Sequence, residues 1–134
     1  MLIEISNGEL VDKVTILHIK RQKVTDTAKL ANVEKEYALL VEAMAEIGVT
    51  VDSPEFARLL EVNSRLWDIE DRIRIKEAQQ TFDDEFVQLA RSVYFENDRR
   101  AEIKKEINVK TGSQLVEEKQ YVDYQAAGRQ VRQH

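Results

Sequence analysis

The sequence predicts an all-α protein: an antiparallel helical bundle of two long helical hairpins with a short C-terminal helix. Three observations carry this. Apolar residues recur at spacings of three and four along most of the chain. Glycine occurs four times and proline once in 134 residues, so few positions interrupt an element and long ones follow. The breaks that do occur carry helix-capping chemistry.

Residues 2–5 alternate apolar and acidic and suit a short extended arm. Ser6 with Glu9 three positions on forms a capping box, and Ile5 and Leu10 flank it at the hydrophobic-staple positions. Leu10, Val14, Leu17, Arg21 and Val24 then share a face, giving a first helix over about 7–24. Thr25-Asp26-Thr27 supplies the break and the next cap. Leu30, Val33, Tyr37, Val41 and Met44, widened by Leu40 and Ile47, predict a second helix over about 28–47. It is the cleanest amphipathic stretch and reads as a pure core helix, with Gly48 just past its end. Ser53-Pro54 opens a third helix, with Ser as cap and Pro at the first helical position. Leu59, Val62, Leu66, Ile69 and Ile73 carry it to about residue 79. An acidic turn from Thr81 to Asp84 suits the start of a fourth helix over about 84–110, marked by Phe86, Leu89, Ala90, Val93, Ile103 and Ile107. Gly112 ends it. Ser113 is positioned to cap a short fifth helix near 114–126, and 127–134 reads as a frayed polar tail. Short connectors make successive helices antiparallel neighbours within a single domain spanning 1–134. The pattern Asn7-x-x-Leu10-x-Asp12 returns as Asn63-x-x-Leu66-x-Asp68, which either a duplicated hairpin or helical patterning alone would produce.

Composition narrows the function classes. With no Cys, disulfides and thiolate metal sites are excluded, which fits a reducing compartment; the expected location is cytoplasmic. The N-terminus lacks the basic stretch and apolar core of a signal peptide, and no apolar run approaches a membrane span. A formal net charge of -5 argues against non-specific nucleic-acid binding, which depends on neutralising phosphates. No glycine-rich phosphate loop and no Ser/His/Asp order is present, and no cofactor or metal is implied. The carboxylates of Asp68-Ile69-Glu70-Asp71 do not share one helix face and read as solvated. His18, beside the first stripe, and Trp67, at the edge of the third, read as packing residues.

The chemically informative signal is polar residues on apolar stripes, because a buried charge needs a partner. Projected at about 100° per residue, Asn97, Arg100 and Lys104 fall on the inner face of the fourth helix, and Asn63, Glu70 and Glu77 on that of the third. On the first helix, Arg21 continues the stripe after Leu17. The cluster Arg21, Glu70, Asn97, Arg100 and Lys104 has two readings. It can be an ion-pair network within the bundle. Alternatively, it can grip an anionic small molecule, since the planar guanidinium fork holds two oxygens of a carboxylate or phosphate, with Glu70 as acid or base. No complete catalytic set can be read. The first function hypothesis is therefore a non-enzymatic interaction or assembly module; the alternative is a binder or enzyme acting on an anionic substrate. Because the apolar stripes are wider than one thin bundle can hide, a homodimer is expected.

Several stretches resemble a small family of bacterial proteins with no assigned activity. They are residues 4–13 (Glu4-Ile5-Ser6-Asn7-Gly8-Glu9-Leu10-Val11-Asp12-Lys13), Leu66-Trp67-Asp68-Ile69-Glu70-Asp71, Leu89-Ala90-Arg91-Ser92-Val93-Tyr94, Asn97-Asp98-Arg99-Arg100, Gly112-Ser113 and Leu115-Val116-Glu117-Glu118-Lys119. The resemblance spans about residues 2–121 and implies one domain. Similar proteins stand alone or occur alongside glycosyltransferase and tetratricopeptide-repeat sequences, an association that hints at surface-polysaccharide genetics. The resemblance implies no catalytic residue.

Overall fold

A computed structural model describes residues 1–120 and 122–124 of the chain. Among these residues lie four helices in order: α1 Asn7–Lys23, α2 Thr27–Glu46, α3 Pro54–Ala78 and α4 Asp84–Thr111. Each begins where the capping chemistry predicts. Ser6 accepts the Glu9 N–H, Asp26 that of Lys29 and Asp83 that of Phe86. Ser53 precedes Pro54, but its hydroxyl instead accepts the Thr50 N–H at 2.9 Å and closes the preceding turn. Gly112 ends α4 in the left-handed region, at φ 66°, a conformation that costs glycine little.

Helix α1 lies at the centre. It packs against each of the other three helices, α3 and α4 pack on each other, and α2 touches only α1 among the helices. The expected hairpins, α1 with α2 and α3 with α4, are therefore both present. The hydrophobic core gathers where α1 and α3 begin and α4 ends: Leu10, Val11 and Val14 meet Phe56, Leu59, Val62 and Leu66, with Ile103 and Ile107. Met44 and Val49 reach in from α2 and the turn after it.

Two expectations need correction. The second helix is not pure core: Met44 is its one buried residue, and the rest of its stripe is half-covered. An amphipathic helix that leans on a single neighbour can hide only the part of its stripe that this neighbour reaches. The fifth helix, expected near 114–126, is not seen over residues 114–120 and 122–123, where the chain forms a non-helical strap; among the described residues of that stretch, only Tyr124 is helical. The expected frayed tail at 127–134 lies outside the described residues. The sequence echo also does not mark equivalent environments, since Asp12 is fully buried while Asp68 is exposed.

Candidate functional site

The polar centre of the molecule is a joint between the start of α1 and the end of α4. Asp12 on α1 is 1% exposed. Arg100 on α4 holds it with a two-pronged grip: Nε donates to Oδ1 at 2.9 Å and Nη2 to Oδ2 at 2.5 Å. Asn63 on α3 adds a third donor, its amide nitrogen standing 2.9 Å from Asp12 Oδ1 and 2.7 Å from Thr15 Oγ1. The Thr15 hydroxyl in turn donates to the Asp12 backbone carbonyl at 2.7 Å. Three helices are thus tied through one carboxylate. A buried carboxylate is tolerable only when its lone pairs are met in this way.

One turn earlier on α1, Lys104 donates to Glu9 at 2.7 Å and lies 3.3 Å from Glu117 on the strap. The Ser6 hydroxyl donates to the other side of that network, to Glu117 Oε1 at 3.1 Å. The capping box is therefore half-formed: Ser6 caps Glu9, but the Glu9 carboxylate turns to α4.

The backbone of α1 is stitched to the same surface. Asn7 N–H donates to Ser113 Oγ at 3.0 Å, and Gly8 N–H to Asn108 Oδ1 at 2.6 Å. Glu9 N–H donates to Ser6 Oγ and Leu10 N–H to the Ser6 carbonyl. The free N–H groups of the helix's first three residues, Asn7, Gly8 and Glu9, are thereby satisfied by the protein itself, and that of Leu10 makes the first bond of the helix. The approach is close enough to require glycine at position 8, where a Cβ would stand well inside contact distance of the Lys104 carbonyl oxygen and 3.0 Å from Asn108 Oδ1.

The electrostatics follow from these contacts. The hydrogen bonds it donates to Asp12 hold the Arg100 guanidinium above its ordinary range. Burial alone would lower the Lys104 ammonium, but its bond to Glu9 and the charges of Asp12, Glu9 and Glu117 outweigh that and raise it. Burial likewise works against the Glu117 carboxylate, yet the charge and hydrogen bond of Lys104 hold it below the usual range. Both cations therefore stay charged and paired. Among the described residues, no buried side-chain nitrogen or oxygen lacks a partner.

Of the five residues expected to cluster, the structure brings two together. Arg100 and Lys104 share the joint. Arg21 lies elsewhere, paired with Glu34 on α2 at 2.9 Å and stacked over the Tyr37 ring at 4.2 Å. Glu70 is exposed, because the buried core on α3 ends at Leu66 and solvent reaches the same face one turn later. Asn97 is half-buried near the joint and makes no side-chain hydrogen bond in the described structure.

The stripe through Leu10, Val14 and Leu17 did not reveal Asp12, Gly8 and Thr15. A second stripe could have. Gly8, Asp12, Thr15 and Ile19 follow one another at spacings of four, three and four, and all are buried. A central helix with three neighbours is covered on more than one face, so one stripe under-reports its buried residues.

No curated protein and no solved structure matches the chain. A family model does, over residues 1–128, which takes in α1, α4 and the strap alike. The chain belongs to DUF6165, a family of unknown function.

Proposed function

We propose that the chain is a non-enzymatic interaction module that works as a homodimer in the cytoplasm. The observation that carries this reading is the pairing in the joint. Three carboxylates, Glu9, Asp12 and Glu117, surround two cations, Arg100 and Lys104. Such a cluster has no surplus positive charge with which to attract an anionic substrate, and the N–H groups of Asn7, Gly8 and Glu9 at the helix start beside it are already bonded within the protein. A charge network with every partner inside the protein instead fixes how the helices register against one another, a role such networks have in other helical assemblies.

The homodimer is supported by the far end of the α3–α4 hairpin. Ile75 is 56% exposed, Phe82 55% and Val87 50%, an unusual concentration of large apolar side chains facing water. Light scattering behind gel filtration at micromolar concentration tests it, with twice the monomer mass expected. A particle of 15.6 kDa overturns the dimer. Thermal shift against inorganic phosphate and small dicarboxylates tests the other half of the reading, and a flat response is expected. A saturable upward shift that Arg100→Ala abolishes would restore an anionic ligand to the joint.

A further inference from the structure

The strap after α4 is held differently from the helices. It turns at Gly112 and runs back along α4, so that Glu118 meets Lys105 at 3.4 Å and the Tyr124 hydroxyl donates to Asp98 at 2.8 Å. Among the described residues, no backbone hydrogen bond joins 114–120 to a helix, and every residue of that stretch is exposed. A cleft of about 170 Å³ is left between strap and helix, lined on the helix by Ala101, Lys104 and Asn108. Side chains hold the strap at two separated places. At the first, Glu117 lies 3.3 Å from Lys104 and accepts the Ser6 hydroxyl at 3.1 Å. At the second, the Tyr124 ring lies 5.0 Å from that of Tyr94 and 5.5 Å from that of Phe95.

The groups that these contacts cover keep partners without the strap. Lys104, the buried cation beneath it, stays bonded to Glu9 at 2.7 Å. Ser6 Oγ still accepts the Glu9 N–H. The rings of Tyr94 and Phe95 pack on each other at 4.9 Å, and Lys105 and Asp98 are exposed and return to water. The Asn7 N–H is bonded to Ser113, at the pivot, and not to the strap beyond it. Opening therefore leaves no buried charge alone, which is the cost that keeps Asp12 and Arg100 together. The ion pairs given up are partly exposed and each is worth little. A segment with so few buried apolar contacts opens at a free energy well below that of the whole fold. We infer that the strap beyond Ser113 is a hinged lid over the α4 side of the joint, swinging about Gly112 and Ser113 and opening while the four helices stay folded. Its latch is electrostatic at Glu117 and Glu118 and aromatic at Tyr124. Opening uncovers Lys104, Lys105 and the rings of Tyr94 and Phe95. The lid belongs to a single chain, so it stands or falls independently of the dimer and of the interaction-module reading.

The test reads the lid's position directly. The chain has no cysteine, so two introduced ones take spin labels cleanly. Lys13→Cys on α1 and Gln120→Cys on the strap both replace exposed residues of the full chain. Pulsed electron spin resonance measures the distance between the labels, with labelled chain diluted into unlabelled chain so that only distances within one molecule are read. A sharp closed distance is expected beside a broader second one. The share of the second should grow as salt rises from about 0.1 M to about 1 M, over which the screening length falls from about 10 Å to about 3 Å. Glu117→Gln with Glu118→Gln should raise the open-to-closed ratio about three- to tenfold at low salt. Tyr124→Ala, acting from the other end of the latch, should raise it as well. Far-UV circular dichroism should stay unchanged throughout. A single distance that neither salt nor either set of substitutions moves overturns the inference, because the strap is then an integral part of the bundle. A second distance that grows only in step with loss of helix overturns it too, because the strap then has no opening of its own.

Discussion

Arg100 and Arg21 make the same bond in different surroundings. Each donates from Nε to a carboxylate on a neighbouring helix at 2.9 Å. Arg100 meets a carboxylate that is 1% exposed and shared with Asn63, whereas Arg21 and its partner Glu34 have side chains 37% and 48% exposed. The first pair ties α1, α3 and α4 into one register. The second links α1 to α2 across water. Distance alone therefore does not rank the two; the solvent each carboxylate has lost does.

Asp12→Ala should show the difference most strongly. It leaves the Arg100 guanidinium half-buried and Asn63 short of an acceptor, the situation in which breaking a buried pair costs about 3–5 kcal/mol. Equilibrium denaturant unfolding measures it. A loss below about 1 kcal/mol would put the joint in the class of surface pairs and end the comparison.

Gly8→Ala comes next, and its sign is diagnostic. In an open helix the change would stabilise by about 0.5–1 kcal/mol, because alanine has less freedom to lose. Here the added methyl meets the Lys104 backbone, which cannot swing aside as a side chain would. The expected result is a destabilisation of roughly 1–3 kcal/mol, as for overpacking elsewhere. A stabilised variant would mean that α1 can lift from α4 without loss.

The contrast also explains what could be read from the sequence. Helix positions were legible because caps are local: Ser6, Asp26, Ser53-Pro54 and Gly112 act within a turn of themselves. Arg100 and Lys104 were legible as inward charges because the face of α4 is set by its own periodicity. Their partners were not. Asp12 lies on α1 on the side away from the Leu10–Val14–Leu17 stripe, and only the central place of α1 between three neighbours makes that side interior. Glu70 failed for the opposite reason: its helix face is right, but the core has already ended. Whether a face is covered depends on which helix lies opposite, and periodicity carries no information about that.

His18 provides a smaller test, on the α1–α2 side. Its ring sits edge-on to Phe56 at 5.8 Å and within 3.3 Å of the Tyr37 hydroxyl. Burial first, and the nearby Arg21 charge second, hold it below the ordinary value of 6.5. The unfolded chain therefore takes up the proton first as pH falls. Stability is fully present above about pH 6.5 and declines as pH falls from there through the lower folded value. Carboxylates titrate further down, so melting curves between about pH 7.5 and about pH 5.5 isolate the effect. His18→Gln should flatten the decline; an unchanged slope would mean that His18 charges freely in place.

Arg21→Ala should have the smallest effect. The lost ion pair is exposed on both sides, which bounds it at about 0.2–1 kcal/mol, with the stacking on Tyr37 adding about 0.5–1 kcal/mol at an exposed site. Below about pH 6.5 part of that loss is offset, because removing Arg21 also removes the positive charge that disfavours protonation of His18. Added salt separates the terms. Screening weakens the Glu34 pair in the unaltered chain, so the cost of Arg21→Ala should shrink as ionic strength rises, whereas the cost of Asp12→Ala should hardly move. If both costs fell together with salt, the buried carboxylate would be open to water, and the distinction between the two arginines would reduce to geometry.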